Sequence, residues 1–212
     1  SLKRVEDVRF LTGQGRYIDD TAPKGALVGL FLRSQMAHAG FELDALDEAR
    51  AMPGVVAILT VEDLESAGMN VAMPAERIKT AKGKGAAPER PMLARGRVRF
   101  VGEAIALIVA DSMAAARDAA DAIVVDYRGI DAATDYRSDG NQIHPEAPKN
   151  IAFDWDIGQA KATDAALRKS AHVVSFDLLH NRVIGNSMEP RGCWAEWVGG
   201  RCHVAVSGQG VW

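Results

Sequence analysis

Ala104–Ala110 (AIALIVA), Met113–Ala122 (MAAARDAADA) and Ile123–Tyr127 (IVVDY) follow one another with almost no spacer, and their order decides the fold class. The first run is apolar throughout, the pattern of a strand covered on both faces. The second is rich in alanine, which favours helix and permits close packing, and Asp111 or Ser112 stands ready to cap it. The third returns to β-branched residues and reads as a strand. A compact, short-looped strand–helix–strand unit is therefore predicted over 104–127. Working outward, Ala26–Leu32 (ALVGLFL) and Val55–Thr60 (VVAILT) repeat the strand signal. Asp44–Met52 (DALDEARAM) reads as a helix capped by Asp44 and stopped before Pro53-Gly54. Thr60, followed three residues later by Asp63, marks the start of a second short helix over Val61–Ala67.

The composition sets the outer bounds. The chain has 212 residues, with 25 Lys plus Arg against 28 Asp plus Glu, a formal net charge of −3. At roughly 150 residues per domain this is one large or two small domains. Apolar residues are 48% and charged residues 25%, which excludes intrinsic disorder as the main state. No basic excess exists to neutralise phosphates, so nucleic acid is not an expected partner. The longest apolar runs fall far short of the ~20 residues that span a bilayer, so no membrane association is expected. Two cysteines make no disulfide framework, and a cytoplasmic location is the expectation.

Residues 68–96 carry Lys79, Lys82, Lys84 and Arg90 among glycines and prolines. They read as a solvated surface loop, with an anion-binding loop as the alternative. Residues 131–150 hold turn chemistry without periodicity, and 136–150 is the expected linker between a first domain over 1–135 and a second from 151. In the second, Thr163 is expected to cap a helix over Asp164–Ala171, and His172–Leu179 alternates as a strand. Cys193–Val198 and Arg201–Ser207 flank Gly199-Gly200, a strong hairpin signal. That turn would pair Cys202 with Trp197 and Cys193 with Val206, too far apart for a disulfide, so buried free thiols are expected. A domain running only from 151 to 212 has little room for its own core, which points to a piece of a longer subunit.

The usual chemical signatures are absent. No His or Cys pair has metal-ligand spacing, since the adjacent Cys202 and His203 would point to opposite faces of a strand. No protein-ligated metal site is expected, and His38 and His180 read as hydrogen-bonded structural residues. None of the Gly-x-Gly fragments completes a dinucleotide fingerprint or a P-loop. Glu103 and Glu189 are the tempting carboxylates, but neither has a second acid nearby in sequence.

Longer strings say more. Phe10–Asp20 (FLTGQGRYIDD), Arg33-Ser34…Ala37-His38-Ala39, Pro53–Thr60 (PGVVAILT) with Glu62-Asp63-Leu64, Val98–Glu103 (VRFVGE) and Val109-Ala110-Asp111 stand in order along the chain. Together they resemble the large subunit of the molybdenum hydroxylases, the xanthine dehydrogenase, aldehyde oxidase and carbon monoxide dehydrogenase family. In that family these blocks form the α/β hammerhead domain. Ser187–Gly192 (SMEPRG) resembles the block that opens the molybdenum-cofactor-binding region, and Val206-Ser207-Gly208-Gln209 the strand-end segment after it. Gln35 stands where the family commonly has Pro, and Gly208 where Thr is frequent, which loosens the match to any one subfamily.

The resemblance implies an α+β hammerhead domain followed by the truncated start of an α+β molybdenum-cofactor-binding domain. It implies an oxidoreductase that hydroxylates an aldehyde, N-heterocycle or related small substrate, or oxidises carbon monoxide, using water. A molybdenum–pterin cofactor would sit in the full-length subunit, with iron–sulfur clusters and FAD on partner subunits or domains. In the family a glutamine of the strand-end block donates to an oxo ligand of molybdenum. Gln209 matches it, and its neighbours Gly208 and Gly210 would let the backbone approach the cofactor. No catalytic residue is expected in this stretch, because the family's base lies beyond residue 212. Glu189 and Arg191 are read as a structural ion-pairing element. The chain alone would be inactive and hold no cofactor, and open strand edges make a homodimer another expected partner. The competing reading is a freestanding hammerhead-type module that binds a partner subunit without cofactor.

Overall fold

A computed structural model describes residues 4–73, 77–80, 83–135, 140–180 and 184–208. The chain divides into two compact units, one of residues 1–26 with 172–212, the other of residues 27–171. The smaller unit opens with helix α1 (Asp7–Leu11) and a 3-10 turn over Ile18–Thr21.

Among the described residues the larger unit holds ten strands and four α-helices. Strands β1 (Val28–Arg33) and β2 (Ala39–Asp44) lead into the short helix α2 (Leu46–Arg50), then β3 (Val55–Leu59) and α3 (Val61–Ser66). Two small pairs follow, β4 (Ala72–Met73) with β7 (Arg90–Pro91), and β5 (Lys79–Thr80) with β6 (Gly83–Lys84). Next come β8 (Arg97–Val98), β9 (Ala104–Ala110), α4 (Met113–Ala122), β10 (Val124–Gly129) and α5 (Ala160–Lys169).

β9 lies at the centre of one sheet. It pairs antiparallel with β1, from Val28↔Ala110 to Leu32↔Ala106, and with β3, from Val55↔Ala110 to Leu59↔Leu107. A second sheet has the order β10-β2-β8, also antiparallel. The strand–helix–strand succession over 104–129 therefore makes no parallel crossover. β1 and β3 occupy both edges of β9, so the chain leaving α4 pairs instead with β2. The result is an α+β arrangement, as the hammerhead resemblance implies.

The core explains why the sequence does this. Ala106, Ile108 and Ala110 from β9, Ile58 from β3, Ala49 from α2, and Ala116 and Ala119 from α4 are buried together. Alanine at the helix positions lets α4 settle close to the sheet, and burial of each isoleucine contributes roughly 1.5–3 kcal/mol. Ala39, Phe41, Ala94, Val98 and Ile105 form a second cluster. Leu32, Leu43 and Val125 pack against both, tying the sheets together. Ser112 caps α4 by accepting from Ala115 N at 3.2 Å. At α3 the expected box is present: Thr60 N donates to Asp63 Oδ2 at 2.8 Å.

Several local expectations change. Asp44 does not cap a helix. It ends β2, a strand hidden by its glycine and charges, and Ala45 at φ 61° turns the chain into α2. Thr163 lies inside α5, one turn past the start, because its N–H already donates to Gln159 O at 3.0 Å. His172–Leu179 is not a strand; its alternation is right, but no strand among the described residues supplies a ladder. The compact units group the chain by spatial contact, which is a different division from the sequence domains expected over 1–135 and 151–212. Within the expected linker, Asn150 Oδ1 accepts from Ile143 N at 2.8 Å, Asn150 Nδ2 donates to Asn141 O at 2.7 Å, and Ala147 is buried. Ala86 N also donates to Ala152 O at 2.7 Å, so polar-looking sequence here is held in the larger unit by backbone bonds rather than by apolar periodicity.

Two outcomes follow from this packing. Ile108→Ala removes a fully buried side chain at the sheet centre and should destabilise the larger unit by about 2–5 kcal/mol, whereas the exposed Val56→Ala should cost within about 0.5 kcal/mol, read as urea midpoints. Burial, then the nearby Arg99 charge, holds the His144 pKa below its ordinary 6.5. As pH falls, the unfolded chain takes up the proton first, so the larger unit loses stability below about 6.5 and not above it. An NMR titration of the His144 ring should give a midpoint under that value, and His144→Gln should flatten the acid limb of the stability curve.

Candidate functional site

The residues that resemble a cofactor region gather in the smaller unit. β11 (Cys193–Val198) and β12 (Arg201–Val206) form an antiparallel hairpin. Gly199 and Gly200, at φ 57° and 77°, make its two-residue turn, a conformation that residues with a Cβ resist. The register is as expected, with Cys202 opposite Trp197 and Cys193 opposite Val206. Both thiols are free but exposed, not buried, because among the described residues nothing covers the one hairpin face that carries both.

At the open end of the hairpin the SMEPRG block meets the strand exit. Gly192 N donates to Ser207 Oγ at 3.0 Å, and Ser207 N donates to Gly192 O at 3.1 Å. The same hydroxyl lies 3.3 Å from the carbonyls of Pro190 and Gly192, so its proton has an acceptor in either direction. Ser187 Oγ donates to Glu189 O at 2.6 Å and shapes the turn before it. Ser207 thus fixes the position from which Gly208 and the chain beyond it leave the strand.

The first block of the chain packs onto this knot. Gly13 at φ 70° ends α1, and the ring of Phe10 covers Gly15, where a Cβ would come within 2.8 Å of it. Tyr17 N donates to Asp20 Oδ2 at 2.9 Å and starts the 3-10 turn. Ile18 N then donates to Glu189 Oε1 at 2.8 Å, and Trp194 Nε1 donates to Thr21 Oγ1 at 3.0 Å. Gly192 faces the same turn; a Cβ there would fall 2.6 Å from Ile18 Cγ2. Blocks some 170 residues apart in sequence are therefore neighbours in one unit.

The partner of Glu189 is a backbone N–H rather than the expected cation. Among the described residues Arg191 makes no ion pair with it. The half-buried carboxylate serves the otherwise unpaired donor at the start of the 3-10 turn. Glu103 also serves backbone: Oε2 accepts from Arg99 N at 2.5 Å, and its carbonyl accepts from Ser34 N at 2.9 Å. Of the two histidines read as structural, His38 is buried, with Nδ1 2.8 Å from Asp131 O. Its Nε2 accepts from Arg97 Nε at 2.9 Å, so the ring proton sits on Nδ1. His180 is instead exposed, in a stretch without strand partners. Lys79 and Lys84 face one another across the β5–β6 pair, and Lys82 lies outside the described residues. The groove beside them, about 330 Å³, is lined by Arg77 and Lys84 but also by Glu146 and Asp154, which disfavours an anion cradle; nor is 68–96 simply a solvated loop, since Val71, Leu93 and Ala94 are buried and β4 pairs with β7.

Gly208 stands at the strand exit with open space around it, since a Cβ there would meet nothing within 4 Å. Gln209 and Gly210, the other expected cofactor residues, lie outside the described residues. Among the described residues no cluster of three or more His, Cys, Asp or Glu side chains is placed to ligate a metal ion, and no helix is long and apolar enough to cross a membrane.

Residues 12–131 match the family described as aldehyde oxidase and xanthine dehydrogenase, a/b hammerhead domain, and residues 143–212 match the molybdopterin cofactor-binding domain. The chain belongs to the molybdenum hydroxylase large-subunit family. It is 36% identical to the nicotine 6-hydroxylase large subunit of Paenarthrobacter nicotinovorans over 98% of this chain and 25% of that protein. It is 33% identical to the carbon monoxide dehydrogenase large chain of Afipia carboxidovorans, over 91% of this chain and 25% of the relative. The crystal structure of aldehyde oxidoreductase from Desulfovibrio gigas superposes on 96% of this chain and 23% of its own, with a TM-score of 0.71 at 26% identity. The chain thus spans about a quarter of the length of the curated relatives it matches. In this chain a hammerhead domain is followed by the start of a cofactor-binding domain.

The Ser207 knot and the Trp194–Thr21 bond escaped sequence reading, because neither partner pair has any periodic or spacing signal. Gly192 was legible only as part of the SMEPRG string. Ser207→Ala should free the Gly192 N–H and cost about 0.5–1.5 kcal/mol of local stability. Gly192→Ala should open the contact with Ile18. Hydrogen exchange at Ile18 and Gly192 is the measurement, and Gly208→Ala, with free space around it, should leave both amides unchanged.

Proposed function

We propose that this chain forms, within a longer subunit, the hammerhead and first cofactor-binding part of an oxidoreductase. Its substrate is an aldehyde, an N-heterocycle or a related small molecule, or carbon monoxide. The observation that carries the reading is the strand exit at Ser207-Gly208, pinned to the SMEPRG block inside the region matched by the molybdopterin cofactor-binding family. The names of the relatives, a nicotine hydroxylase, carbon monoxide dehydrogenases and an aldehyde oxidoreductase, support the reaction class.

The residues present fit such a cofactor. The Gly208 backbone is open to close approach, and the hydroxyl next to it is already satisfied within the protein. Gln209 follows directly. A neutral amide donates a hydrogen bond without adding charge and without competing as a metal ligand, which suits a group that orients a cofactor. Gly208, Gln209 and Gly210 are therefore assigned to cofactor binding. When bound, a molybdenum–pterin group supplies two-electron oxidation with water as the oxygen source. This chain's described part is the anchor before Gly208: Ser207 bonds to Gly192, and Glu189 ties that turn to Ile18. Iron–sulfur and flavin centres on partner subunits or domains take the electrons onward.

The test uses the complete subunit with its partners. Gln209→Ala should fold normally and lose about 10²- to 10³-fold in turnover per bound molybdenum, the cost of one oriented donor. Glu189→Ala should lower cofactor occupancy while leaving turnover per molybdenum near normal. The 212-residue chain by itself should bind no stoichiometric molybdenum by metal analysis. Full turnover per molybdenum in Gln209→Ala would remove Gln209 from the site, and a complete subunit purified without molybdenum would favour a cofactor-free binding module.

A further inference from the structure

The larger unit holds a feature that the hydroxylase reading does not use. β10 pairs with β2 along its whole length, from Ala39 to Asp44. On the other side β8 reaches only Ala39 and Gly40. Phe41 N donates to Gly96 O at 3.0 Å, and there the cover stops, because Gly96 at φ 58° turns the chain off the edge. In an antiparallel strand, residues two apart present their N–H and C=O to the same side. Leu43 therefore shows both of its backbone groups on the side that β8 leaves open. No bond to either group is made from that side among the described residues.

A cavity of about 400 Å³ opens beside this edge. Phe41, Leu46, Ala94 and Ile105 give it an apolar floor, and its rim carries Glu42, Glu62, Asp63 and Arg50. Asp63 is committed to the Thr60 cap and to Arg50, at 2.8 and 3.0 Å. Glu42 is paired with Arg128 at 2.7 Å. Glu62 is exposed and has no partner among the described residues, so it carries the excess negative charge of the rim.

We propose that the Leu43 edge of β2 and its cavity form a docking site for an extended segment of a partner polypeptide, one that alternates apolar and basic residues. The free N–H and C=O of one strand residue are matched by a peptide backbone. Alternate side chains of an added strand point to opposite faces, so one set enters the apolar floor while the other reaches the rim. The unpaired Glu62 selects Lys or Arg there.

The experiment titrates the ¹⁵N-labelled 212-residue chain with three blocked peptides at up to millimolar concentration. These are Val-Lys-Val-Lys-Val, Val-Glu-Val-Glu-Val, and the lysine peptide N-methylated at its central residue. The lysine peptide should shift the Leu43 and Gly96 amides saturably and slow Leu43 exchange at least tenfold. It should bind at least tenfold tighter than the glutamate peptide, and N-methylation should abolish binding. Glu62→Lys, a surface change outside the core, should weaken the lysine peptide at least threefold with an unchanged circular dichroism spectrum. No shift at Leu43, equal affinity for the glutamate peptide, binding that survives N-methylation, or unchanged affinity in Glu62→Lys overturns the proposal.

Discussion

The larger unit depends on the fit between β9 and α4. Ala106 and Ala110 on the strand meet Ala116 and Ala119 on the helix, with Ala49 of α2 beside them, and all five are fully buried. Helix and sheet come together at a distance that only methyl groups allow, and close-packed interiors do not absorb extra volume cheaply. With β9 held there, β1 and β3 complete its two edges. The chain that follows α4 is then forced out to β2, and the second sheet exists because the first has no edge left.

Turn chemistry carries that arrangement from one sheet to the other. The Glu103 carboxylate receives the Arg99 N–H, and its backbone receives Ser34, so the passages β1–β2 and β8–β9 are fastened at one point. His38 performs the same service further along, with its Nδ1 proton on Asp131 and its Nε2 taken by Arg97. Both residues bond to backbone or to a neighbouring arginine at the turns between strands. The polar groups that looked chemically promising in this region are the ones that let backbone turn inside a protein without stranding donors.

The smaller unit uses the same economy for a different end. A hairpin of two six-residue strands is marginal alone. It gains definition from the Ser207–Gly192 clasp and from an N-terminal segment fastened through Ile18–Glu189 and Thr21–Trp194. Those bonds place the strand exit at Gly208, the position from which the proposed cofactor contact at Gln209 departs.

Much of this was legible without coordinates. β9 and α4 occur over the residues their composition picks out, because an all-apolar run and an alanine run each satisfy one kind of burial and no other. The Gly199-Gly200 turn fixed the hairpin register, since only residues free of a Cβ take both positive φ values easily. The family, too, was readable from ordered strings. Tertiary structure decided what no local pattern encodes. It put β10 beside β2, left His172–Leu179 without a partner, and drew residues 1–26 to the MEPR block. Strand partners and unpaired donors are chosen by which surfaces remain uncovered once the core has formed, and that choice involves residues far apart in the chain.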